Sequence, residues 1–197
     1  MKCLLVCLFS AMLLGSIRAD NQIEAEDFRV YEAALADFIP PHRGKLLLVF
    51  SDRTDTPGKI LCLSANSADF IGMCELNGFA VDHALAAEFF EKNQKQYPLP
   101  KAFHLMLPAT IKTVSAKRLD TIFTDAAGRG WQRFYRAYPK STGIIYLSRV
   151  AYSSDGQSAL VYVGRQSAGL SGGGVIYLLK RQEKDWRKVS EFDTWIS

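Results

Sequence analysis

Histidine is nearly absent from this chain of 197 residues: His42, His83 and His104 are the full set. They lie far apart, and no H-x-x-x-H or H-E-x-x-H spacing occurs, so the helical zinc-hydrolase pattern is excluded. Cysteine is also scarce. Of the four, Cys3 and Cys7 fall in the first nineteen residues, leaving Cys62 and Cys74. Two cysteines without a histidine at ligand spacing do not make a structural zinc site, which takes four ligands. Charge is nearly balanced, with 24 Lys and Arg against 20 Asp and Glu. The excess reads as spread along the chain, without the clustered footprint of a nucleic-acid binder. Phosphate-binding fingerprints are missing too; Gly128-Arg-Gly130 has neither the length nor the flanking strand. Neither a metal nor another cofactor is expected.

The start of the chain has a definite character. Met1-Lys2 is basic, Leu4 to Gly15 is uncharged and mostly apolar, and Ser16-Ile-Arg-Ala19 follows as a cleavage region. That order reads as a secretory signal over residues 1–19. The apolar run is short of the ~20 residues needed to span a bilayer. No later run is long enough either, so residues 20–197 read as one exported domain without a transmembrane segment, periplasmic or secreted. An oxidising compartment and an even cysteine count predict a Cys62–Cys74 disulfide.

The periodicities predict helices first and strands last. Phe28, Tyr31, Ala34, Leu35 and Phe38 mark one face of a helix over Ile23–Phe38. Lys45–Ser51 is a buried strand, and Asp52–Gly58 is dense in turn formers. Ile60–Leu63 reads as a short strand, and Asn66–Gly78 is ambiguous. A helix over Asp82–Gln96 has Asp82 as its cap. Ala102–Leu107 alternates weakly, as a strand would. Ser115–Phe123 and Gly130–Tyr138 are short helices, the second with an aromatic stripe that reads as core. Four strands follow, over Gly143–Ser153, Gln157–Ser167, Val175–Gln182 and Trp186–Trp195. The expected class is α+β: N-terminal helices and a buried strand packed on one face of a C-terminal antiparallel four-stranded meander.

Gly169-Leu-Ser-Gly-Gly-Gly174 matches the G-x-S-x-G pattern of a serine nucleophile. That motif needs a following helix and a downstream histidine. Strand formers follow instead, and His104 is the last histidine. A His42-Asp-Ser171 order would suit a trypsin-like chain, but the helical patterns before residue 138 do not. The stretch therefore reads as a hairpin loop in which Gly172 and Gly173 supply positive φ. The remaining polar candidates are Asp52, Arg53 and Thr54, at the end of a buried strand where functional loops often sit, together with His104.

Several segments carry a family likeness. Y-P-x-S-x-G-I-I-x-L-S-R-V over Tyr138–Val150, A-L-V-Y-V-G over Ala159–Gly164, the glycine stretch, D-W-x-x-V from Asp185 and T-W-I-S at the end resemble an uncharacterised family of exported bacterial proteins. Val30–Leu35, Leu46–Thr54 and Asn93–Pro100 fit its N-terminal half. The resemblance implies export and a single domain, and no activity. It also implies a cysteine pair in the glycine-rich segment, at places that Ser167 and Ser171 take here, so no covalent or metal role for that segment carries over. The function expected is non-enzymatic binding of a protein, glycan or envelope component. A hydrolase whose polar groups converge only in the fold is the alternative.

Overall fold

The computed structural model describes residues 23–38, 46–60, 66–100, 103–124 and 128–197. Residues 1–19, where a signal is expected, His42 and Cys62 fall outside these. The element order is α1 (Ala25–Leu35, extended by a 3-10 turn Ala36–Phe38), β1 (Leu46–Ser51), α2 (Pro57–Ile60), α3 (Ser67–Leu76), α4 (His83–Lys92), β2 (Ala109–Val114), α5 (Ala116–Phe123), α6 (Gly130–Ala137), β3 (Ser141–Leu147), β4 (Ala151–Tyr152), β5 (Ser158–Ala168), β6 (Ser171–Gln182) and β7 (Asp185–Ile196).

One mixed seven-stranded sheet organises the chain, in the order β2-β1-β3-β5-β6-β7, with β4 paired to β5. The C-terminal strands form the expected antiparallel meander. The N-terminal half departs from expectation. β1 does not pack on the meander but joins it, running parallel to both β2 and β3. Parallel neighbours need crossovers, and α2–α4 and then α5–α6 provide them. The helices therefore cover both sheet faces rather than one. On one face α1 buries Val30, Tyr31, Ala34 and Leu35 against Leu48 and Phe50 of β1, Ile145 and Leu147 of β3, and Val161 and Val163 of β5. The alternate residues of the same strands point the other way. There α2–α4 cover Leu160, Tyr162, Ile176 and Leu178, while α5 and α6 cover Val49, Val114 and Ile144.

Local details correct several expectations. Asn66–Gly78 contains helix α3, capped by the Asn66 side chain, which accepts from Asp69 N–H at 2.9 Å. Ile60 closes the helical turn α2 instead of opening a strand. The strand expected over Ala102–Leu107 lies further on, in Ala109–Val114, because Phe103 and Leu105 turn their side chains into the α1 core rather than extending an edge. Strand Gly143–Ser153 breaks at Ser148, whose buried hydroxyl accepts from Tyr162 N–H at 2.8 Å.

The glycine stretch is not a loop. Gly172, Gly173 and Gly174 lie within β6, paired to Gln166, Arg165 and Gly164, and none has positive φ. The turn is only Gly169-Leu170. Small size, not backbone freedom, is what Gly172 and Gly174 require. Tyr146, Gly164, Gly174 and Trp195 stand opposite one another across four strands, so they share one face. The two glycines leave a trench, which the Tyr162 ring fills and the Trp195 indole covers. Trp195 Nε1 donates to Tyr162 Oη at 2.9 Å. The chain end is docked accordingly, with β7 paired to β6 through Ile196.

Candidate functional site

Among the described residues, three concave regions are compared. The largest, about 690 Å³, lies between α4 and the β4–β5 turn and is lined by Asp82, Glu88, Lys92, Tyr152, Ser153 and Asp155. Asp82, Tyr152, Ser153 and Asp155 are engaged locally. Asp82 caps α4 by accepting from Leu85 N–H at 3.0 Å. Ser153 donates its hydroxyl to Asp155, which also accepts from Gln157 N–H, so both are spent on the turn. Tyr152 donates to the buried Asp27 carboxylate at 2.8 Å. Burial pushes both groups up, Asp27 above the usual carboxylate range and Tyr152 above the usual phenol range. Such a pair could suit acid-base work. Asp27, however, also accepts from Glu24 N–H at 3.1 Å as part of the α1 capping box, and this geometry ties α1 to β4. Its second oxygen is thus committed to holding a helix.

The second groove, about 470 Å³, runs beside edge strand β2 and includes the exposed His104. None of Asp52, Arg53 or Thr54 lines it. The four sequence candidates are therefore not brought together into one pocket. Thr54 is buried and holds the segment after α4: its N–H donates to Tyr97 O and its hydroxyl accepts from Tyr97 N–H, each at 2.9 Å. Asp52 is clamped through its backbone between Val114 and Leu99, and Arg53 is exposed beside Pro98.

The third region is small and aromatic. Leu119 and Phe123 of α5, Trp131 of α6, Ile144 and Tyr146 of β3, and Gln166 of β5 enclose about 120 Å³. Phe123, Trp131, Tyr146 and Gln166 are all half-buried. Trp131 stands edge-on to Phe123, with centroids 4.9 Å apart, and Phe134 supports both from beneath. Gly130 makes the close approach possible, since a Cβ there would meet Phe123 Cδ1 at 2.4 Å. The aromatic stripe expected as core is core at Phe134 and Tyr138, but Trp131 and Tyr135 are only half covered.

Tyr146 links this cleft to a residue the sequence reading passed over. Asp55 follows the end of β1, buried except for a tenth of its side chain, and its N–H donates to Leu147 O at 2.8 Å. Burial raises its carboxyl to about 6, against a weak opposing effect from Lys59 at 3.8 Å. Burial and the Asp55 charge together push Tyr146 up to about 12. The available signal was a second aspartate just beyond a buried strand, and the structure pairs it with Lys59. Among the described residues, no group of three His, Cys, Asp or Glu side chains is placed to hold a metal. Comparison of the chain with protein-family models, curated proteins and solved structures finds no match.

Proposed function

We propose that this protein is an exported binding domain that takes up one projecting group of a protein, glycan or other envelope component in the aromatic cleft. The observation that carries this reading is the half-exposed set of Phe123, Trp131 and Tyr146 around one amide, Gln166. Whole small-molecule sites run to about 300 Å³ or more. A cleft of about 120 Å³ suits a single side chain or sugar ring. Aromatic faces that stay partly wet, with a polar group at the edge, are what such contacts use. The experiment is a pull-down from envelope extract with the mature domain, followed by titration of the captured partner. Trp131→Ala should weaken binding by about 2 kcal/mol, the size of an aromatic hot spot. Its melting temperature, measured alongside, separates lost contact from lost fold. Unchanged affinity in a folded Trp131→Ala variant places the binding elsewhere.

The hydrolase alternative draws on Asp55, a carboxyl that keeps its proton to about pH 6 near Tyr146. Its carboxylate pairs with Lys59 at 3.8 Å, and the neighbouring Thr54 hydroxyl is spent on Tyr97 N–H. Binding is therefore preferred.

Export carries a second proposal, that Cys62 and Cys74 pair. Cys74 is a buried free thiol in this structure, pushed up to about 11 by burial. A bridge closing so short a loop adds about 3 kcal/mol in the chain-entropy model. The mature protein should resist alkylation at both positions until it is reduced, as read by intact mass. Two alkylated thiols without reductant would show that they do not pair.

A further inference from the structure

We infer that the β5–β6 end of the sheet is a docking tip for an anionic lipid surface. This goes beyond the cleft and does not depend on its ligand. Two large apolar side chains are left in water at this end, Leu170 in the turn at 89 % exposure and Ile196 of β7 at 81 %. A folded chain gains nothing from either, and both are found where two strand ends meet. Basic groups border them on each sheet face. On one face Arg165, Gly173 and Ile196 are cross-strand neighbours in successive strands. On the other face α6 runs toward the same end, fixed there by Tyr135, whose hydroxyl donates to Ser167 O at 2.7 Å. Arg136 and Lys140 follow Tyr135 and are exposed. Lys140 has φ +66°, a conformation in which glycine would sit more easily.

The segment before β3 brings Arg136 and Lys140 to this end. Residues 109–140 hold seven Lys and Arg against two Asp, although the complete sequence exceeds balance by only four. The near-neutral total thus conceals a basic segment, which corrects the reading of charge spread evenly along the chain. Exposed aliphatic groups at a tip, flanked by cations and by the half-buried rings of Tyr135 and Trp195, match the chemistry of an interface. The apolar groups enter the acyl boundary, the rings sit at headgroup level, and the cations meet lipid phosphates. No apolar stretch is needed to span anything, and among the described residues no helix is long and apolar enough to cross a membrane. An acidic protein would use the cations but leave Leu170 and Ile196 without a role.

Flotation of the mature domain with vesicles tests this. Vesicles of phosphatidylglycerol and phosphatidylcholine in equal parts should carry the protein up the gradient, and pure phosphatidylcholine should not. Salt should weaken the association. Leu170→Asp with Ile196→Asp, and separately Arg136→Glu with Lys140→Glu, should each reduce binding roughly tenfold or more. All four positions except Ile196 lie outside strand pairing, and melting curves verify that both variants fold. Failure of the wild type to float with anionic vesicles overturns the inference. So does equal flotation of wild type and both folded variants. Self-association that Leu170→Asp abolishes, without vesicle binding, would assign the tip to a second copy of the chain instead.

Discussion

Gly174→Val should be among the most damaging single substitutions in this protein, costing about 3 kcal/mol or more. A Cβ at Gly174 would stand 2.3 Å from Trp195 Nε1 and 2.6 Å from Tyr162 Cε2. Neither ring can retreat cheaply. Tyr162 is fully buried beneath the indole, and the two are joined by a hydrogen bond. Gly164 is bound by the same ring, with Tyr162 Oη at 2.3 Å from its would-be Cβ. Gly173 differs. Its nearest neighbour would be Trp195 O at 3.5 Å, an ordinary contact, and a β-branched residue suits a strand. Gly173→Val should therefore be mild, and Ser171→Ala, at an exposed hydroxyl that meets Ser167 Oγ at 2.9 Å, should stay within about 0.5 kcal/mol. Chemical denaturation of the three variants gives the order. The mechanism has its own control: in a Trp195→Ala background, Gly174→Val should lose much of its cost. A cost undiminished in that background would point to the backbone rather than to the indole.

The glycine stretch shows why sequence reading stops where it does. Apolar alternation through Val175–Gln182 and the turn residues around Ser154-Asp-Gly156 make the meander legible, because local pattern and tertiary pairing agree there. Three consecutive glycines say only that a side chain is unwelcome. Whether the reason is a turn or an overlying ring depends on Tyr162 and Trp195, distant in sequence and adjacent only after pairing. β1 is a similar case. Its apolar run reveals burial, but not that β2 and β3 flank it in parallel, since that follows from where two helical crossovers return the chain. At the candidate cleft the aromatic spacing in α6 was visible, yet Trp131 and Phe134 look alike in a helical stripe; only the packing of α5 decides which is covered. Asp55 was the least legible. A carboxylate in a turn-rich segment reads as solvated, and its burial comes from Leu147 and Tyr146 on a strand about ninety residues later.

Asp55→Asn should stabilise the protein at neutral and alkaline pH. The folded carboxyl titrates near 6, against 3.8 for the ordinary group, because burial disfavours its charge. The native state therefore holds a proton that the unfolded chain releases between these values. Stability falls as pH rises through that window, and the loss is complete above about 6. A shift of this size corresponds to about 3 kcal/mol, an upper figure because Lys59 is largely exposed and water screens its partner. Asparagine has the same shape and no charge to desolvate. Wild type and variant should melt together near pH 4 and separate by roughly 5–10 °C at pH 8, with the variant higher. Asp27 is also raised by burial, but it is present in both proteins, so the difference between them isolates Asp55. A gap that does not change with pH would mean that Asp55 ionises as a surface residue does. If the gap opens as expected, the chain retains a carboxylate that weakens its own fold at neutral pH, at the mouth of β1 and near the tyrosine that lines the aromatic cleft. Loss of partner binding in the stabilised variant would then identify what the charge is kept for.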